Sequence, residues 1–105
     1  MRIDVRDKSF DITFVNNWCR EQYQQMLLYI DEISMIPDQY EEIRDSDKSS
    51  KQKLAEMREV NTRQHELTKQ ISDLRFAIVQ ELLETNGYDY EERWWKRKTD
   101  VDDAN

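Results

Sequence analysis

The chain has 105 residues and a mass of 12.9 kDa, room for one small domain. It carries 23 acidic against 16 basic residues, a net charge of −7, with one Cys, one His, one Gly and one Pro. That composition excludes an intramolecular disulfide framework and a His/Cys zinc site, and no run reaches the ~18 apolar residues of a membrane-spanning helix.

Turn residues are too scarce for an all-β sandwich or barrel, which needs one roughly every 8–12 positions. Long helices tolerate a single Gly and a single Pro, so the expected fold class is mainly α. Leu, Ile, Val and Phe make up about 22% of the chain, just above the range of disordered sequences. A small chain this polar is expected to finish its core against another chain, as a homo-oligomer or with a protein partner. The opening Met1-Arg2-Ile3-Asp4-Val5 lacks the apolar run of a secretory leader, so the expected setting is cytoplasmic.

Residues 2–15 predict a β-hairpin. Ile3 and Val5 alternate with Arg2, Asp4 and Arg6, and Phe10, Ile12 and Phe14 alternate with Asp11 and Thr13. Arg6-Asp7-Lys8-Ser9 is the expected connector, and the hairpin needs cover from the helices that follow. Asn16 or Asn17 is positioned to cap the first helical segment, 17–44, with its apolar stripe at Cys19, Tyr23, Met26, Ile30 and Ile33, widened by Leu27 and Tyr29. Pro37 is expected to break that segment, with a short helix over Asp38–Arg44.

A polar linker is expected at 45–50, and Ser49 with Gln52 has the spacing of a capping box. A long helix then runs over 50–86, roughly 55 Å at the α-helical rise, with Gly87 as its stop. Its stripe is Leu54, Met57, Val60, Leu67, Ile71, Leu74, Ile78 and Leu82, coiled-coil-like but short of the heptads a true coiled coil requires. Asp89 can cap a short aromatic helix over 89–98, with Lys96, Arg97 and Lys98 at its negative end. An acidic tail, 99–105, completes the single domain.

The chemistry-bearing residues favour structure over catalysis. Asp45, Asp47, Ser49 and Glu56 occupy EF-hand-like positions, but Ser50 stands where the loop needs Gly, and lysines would face the ion. Cys19 and His65 could form a nucleophile and base, yet Cys19 falls on an apolar stripe and His65 among polar neighbours. No glycine loop can cradle a phosphate. Trp94-Trp95-Lys96-Arg97-Lys98 has the residues of a nucleic-acid patch, but carboxylates flank it on both sides and the chain is acidic. The tryptophans either fold onto the long helix or anchor a protein partner. Neighbouring positions on a helix diverge by about 100°, which favours one in each role. The expected protein is therefore no enzyme and uses no cofactor or metal, and it contacts neither nucleic acid nor membrane.

The segment Asn86-Gly87-Tyr88-Asp89-Tyr90-Glu91 followed by Trp94-Trp95 and an acidic finish resembles the small tail assembly chaperones of bacteriophages with long non-contractile tails. The opening Ile-Asp-Val strand, polar turn and Phe10-Asp11-Ile12-Thr13-Phe14 are similar as well; the charged middle and the 45–50 linker depart from the pattern. The resemblance implies a non-enzymatic chaperone that binds the helical tape-measure protein, keeps it soluble and passes it to tail-tube subunits. It implies partner contacts at Tyr88, Tyr90, Trp94 and Trp95. The alternative is a helical homo-oligomeric adaptor whose stripe is satisfied by its own copies.

Overall fold

The N-terminal alternation becomes an antiparallel hairpin of β1 (Arg2–Val5) and β2 (Lys8–Asp11), with Ile3 opposite Phe10 and Asp4 opposite Ser9. The structure is a computed structural model that describes residues 1–91 and 94–97. The loop is only Arg6-Asp7, with Arg6 at φ 59°, so Lys8 and Ser9 belong to the strand and not to the connector. A positive φ at the first loop residue is the hand that two-residue hairpin turns require. Beyond the strands, Ile12 N–H donates to the Met1 carbonyl at 2.7 Å, and the Met1 amino nitrogen donates to the Ile12 carbonyl at 3.0 Å.

Helix α1 (Asn17–Ser34) starts where Asn16 Oδ1 accepts from Cys19 N–H at 2.8 Å, so Asn16 is the cap. The break falls at Met35, two residues before Pro37, and α2 (Ile36–Asp45) takes Pro37 into its first turn. The proline ring opposes continuation of the turn before it, which moves the break upstream of the ring. Helix α2 closes with Ser46 N–H and Oγ both donating to the Ile43 carbonyl, and Lys53 Nζ donating to the Arg44 carbonyl at 2.7 Å.

Helix α3 (Ser50–Thr85) opens with the expected capping box: Gln52 N–H donates to Ser49 Oγ and Ser49 N–H to Gln52 Oε1, both at 3.2 Å. It ends at Asn86-Gly87, with Gly87 at φ +88°. That is the left-handed conformation in which glycine terminates helices without a Cβ penalty. Along α3 the inward positions from Met57 to Leu82 are buried or half-buried, and Leu67 is fully buried. Leu54, expected on this stripe, is 51% exposed, because Lys53, Glu56 and Met57 line the inner side there.

The aromatic helix expected over 89–98 is a second hairpin. Strands β3 (Tyr88–Glu91) and β4 (Trp94–Arg97) pair antiparallel, Tyr90 opposite Trp95 and Glu91 opposite Trp94. Tyr and Trp fit a pleated, half-buried surface well, and the burial of Tyr88 and Trp95 favours the strand over a capped helix. The acidic tail, 99–105, lies outside the described residues.

The chain divides into two compact units, each holding part of α1 and part of α3. The first, Met1–Tyr23 with the chain from Phe76, holds both hairpins and a core of Phe10, Ile12, Cys19, Ile78, Leu82, Leu83, Tyr88 and Trp95. The second, Gln24–Arg75, is an α-helical hairpin with α2 at its turn; only Met26, Ile36 and Leu67 are buried in it. Arg63 clamps the carboxylate of Glu32 across that unit, Nη2 to Oε2 at 2.8 Å. The pair is exposed, so it fixes register more than it adds stability.

Candidate partner-binding site

In the first unit the two ends of the chain are joined through Asn86. Its Oδ1 accepts from Thr13 N–H and Phe14 N–H, both at 2.9 Å, and its Nδ2 donates to the Phe14 carbonyl at 2.8 Å and the Leu82 carbonyl at 2.7 Å. One side chain thus ends α3 and stands in for a strand partner along residues 13–14. Tyr88 makes a second link. Its hydroxyl accepts from Asp11 N–H at 3.3 Å and donates to the Asp11 carbonyl at 3.4 Å, and its ring meets Phe10 edge-on at 5.2 Å. Asp11 points these groups away from β1, so the hydroxyl covers an otherwise open strand edge.

This linkage decides where Phe14 goes. Strand parity would place it inward beside Phe10 and Ile12, but β2 stops at Asp11 and Asn86 holds the backbone of residues 13–14 on a different course. Phe14 is 57% exposed. Trp18 stands in the first turn of α1, one position from buried Cys19 and therefore about 100° off the inward direction, and it too is exposed. Tyr23, expected on the apolar stripe, is exposed, and Phe76 on α3 is 68% exposed. Among the described residues of this unit, four large aromatic side chains stand in water outside its buried core. Such groups mark a contact surface more often than isolated exposed aliphatics do.

Of the contacts implied by the sequence, Tyr88 and Trp95 are both buried in the core of this unit, where they hold the fold. The side chains of Tyr90 and Trp94 lie outside the described structure. No local pattern singles out Trp18 or Phe76 as exposed, and strand parity alone turns Phe14 inward. The signal for Phe14 was Asn86, a helix-ending residue with spare hydrogen-bonding capacity.

The remaining chemistry is sparse. Cys19 is buried in the first unit, whereas His65 is exposed in the second. Burial, and after it the Glu81 carboxylate, holds the Cys19 thiol above its ordinary pKa. That is the reverse of an activated nucleophile. Because the folded state favours the protonated thiol, its contribution to stability is complete below the ordinary thiol range and fades as pH rises through and beyond it. Alkylation of Cys19 at pH 8 is accordingly expected to be at least tenfold slower in the folded protein than in urea, an order-of-magnitude figure read by mass spectrometry; equal rates would place the thiol at the surface.

Three of the four calcium-type positions are put to other uses: Asp45 pairs with Arg44, Ser49 caps α3 and Glu56 pairs with Lys48. Among the described residues no group of His, Cys, Asp and Glu could hold a metal ion, and no helix is long and apolar enough to cross a membrane. An open groove of about 330 Å³ in the second unit is lined by Ile43, Val60, Lys48, Glu42, Glu56 and Glu59. Glu56 Oε1 accepts from Lys48 there, and its Oε2 is buried with no hydrogen-bond partner among the described residues. Comparison of the chain with family models, with curated proteins and with solved structures gives no match.

Proposed function

We propose that the chain is a non-enzymatic tail assembly chaperone that binds the helical tape-measure protein of a long-tailed phage, keeps it soluble and passes it to tail-tube subunits. The observation that carries this reading is the set of aromatic side chains left in water on a unit that has its own buried core: Phe14, Trp18, Tyr23 and Phe76. Tyr90 and Trp94 are further contacts that the resemblance implies. Apolar anchors of this kind suit the exposed stripe of an amphipathic helix, and a net charge of −7 favours solubility of the complex.

The residues behind the resemblance also have a structural explanation. Asn86 and Tyr88 join to Phe10–Phe14, so a shared pattern at the two chain ends supports a shared fold of this unit. Client contact is a separate matter and rests on the exposed set. The alternative, a homo-oligomeric adaptor without a client, is favoured by the half-buried seam of the helical hairpin.

The test is co-expression with a phage tape-measure protein. The chain is expected to raise the client's soluble fraction several-fold, and the double variant Phe14→Ser/Trp18→Ser to lose that effect while its far-UV circular dichroism stays unchanged. Trp95→Ala is unsuited to this test because it opens the core. A folded chain that leaves the client insoluble, or a double variant that still rescues it, would reject the reading.

A further inference from the structure

The helical hairpin of residues 24–75 carries two exposed faces of opposite charge. Met35, which caps α2, and Asp38, Glu42 and Asp45 within it follow one another at intervals of three or four residues, which places them on one face. On α3, Lys51, Leu54 and Arg58 do the same. All seven residues are exposed, with Met35 at 58% and Leu54 at 51%. Inside the chain, Lys48 is taken by Glu56, Lys53 by the Arg44 carbonyl, and Arg44 by Glu41 and Asp45. Among the described residues the side chains of Asp38, Glu42, Lys51 and Arg58 make no ion pair or hydrogen bond.

The two faces also match in length. Lys51 and Arg58 are seven residues apart, as are Asp38 and Asp45, about 10 Å at the α-helical rise. Each face carries one uncovered aliphatic or thioether side chain, Leu54 on the basic face and Met35 on the acidic one.

We infer that these faces form an isologous contact between two copies of this chain. The acidic face of α2 in one copy docks on the basic face of α3 in the other, and the twofold operation repeats the contact. The two repeats enclose Leu54 and Met35. Complementary charge selects a second copy over an acidic or a basic third protein, because each copy offers both signs at once. The surface lies wholly within residues 24–75 and uses none of the exposed aromatics of the other unit, so the inference goes beyond the chaperone reading and does not depend on it.

The experiment is sedimentation equilibrium of the full chain over a range of concentrations, at about 50 mM and about 500 mM salt. The expected result is a monomer–dimer equilibrium whose dissociation constant rises about tenfold or more at the higher salt. The variants Lys51→Glu/Arg58→Glu and Asp38→Lys/Glu42→Lys, each with unchanged helix content, are expected to be monomeric where the unsubstituted chain is dimeric. Mixed together they should form a heterodimer, since the mixture restores opposite charges at both repeats. A chain that stays monomeric up to about 1 mM overturns the inference. So does dimerisation unaffected by either charge reversal, a mixture that stays monomeric, or a dimer that tightens with salt. Client rescue by a chain that is monomeric in this assay would overturn the dimer and leave the chaperone reading standing; a dimer that rescues no client would do the reverse.

Discussion

Replacing Asn86 by alanine is expected to lower the free energy of unfolding by about 2–4 kcal/mol, read from urea denaturation at an unchanged m-value. The carboxamide serves four backbone groups at 2.7–2.9 Å: Thr13 N–H, Phe14 N–H, the Phe14 carbonyl and the Leu82 carbonyl. A typical hydrogen bond adds about 1 kcal/mol net. The groups around Asn86 are part-exposed, so water can reach some of them and the loss stays below the full cost of four buried orphans. Against a total stability of roughly 5–15 kcal/mol this is still a large fraction. Asn86→Asp separates the two halves of the effect: it keeps an acceptor for the Thr13 and Phe14 amides and sets an anion against the Phe14 and Leu82 carbonyls. It is expected to fall between the alanine variant and the parent, or at the alanine value where carbonyl repulsion dominates. A loss under about 0.5 kcal/mol for Asn86→Ala, the range of an ordinary surface substitution, would mean that the chain ends are held by the apolar core alone.

Asn86 also illustrates what a sequence conveys. The helix starts and stops were legible because each depends on a few adjacent residues: Asn16 with Cys19 N–H, Ser49 with Gln52, and Gly87 at positive φ. The first hairpin was legible from its alternation, though not its two-residue loop. The second was not. Over 88–97, aromatic residues favour a strand, while Asp89 at the start and basic residues at the end suit a capped helix. Such a balance is settled by tertiary contacts, here the Phe10 ring and the Asp11 backbone against Tyr88, 77 residues away in the case of Asp11. The exposed aromatics were missed for the same reason. Whether Phe14 points in or out depends on Asn86, 72 residues later in the chain, and no local pattern carries that information. The surface with its two charged faces was hidden differently. Helical spacing alone does not tell Asp38, Glu42, Lys51 and Arg58 from any solvated face, and Leu54 falls on the expected inward stripe.

Truncation of Leu83 to alanine is expected to cost about 3–5 kcal/mol, the largest effect of any single change considered for this chain. Leu83 is fully buried in the cluster that contains Phe10, Tyr88 and Trp95, where ring and strand neighbours are held from several directions and collapse poorly into a void. Leu67 is equally buried, yet the hairpin around it has only Met26 and Ile36 buried besides. Its half-exposed neighbours can shift to fill the space or admit water, so Leu67→Ala is expected at about 2–3 kcal/mol, the low end for such truncations. The comparison tests more than two side chains. The unit that contains Leu83 gains its stability from a closed core, whereas the helical hairpin relies on a seam partly open to solvent. Equal costs for the two truncations would mean that the seam around Leu67 is closed to water in solution, as contact with another chain would close it. Repeating the Leu67→Ala measurement in the Lys51→Glu/Arg58→Glu background decides the point: an excess cost that disappears there comes from the second copy, and one that persists belongs to the hairpin itself.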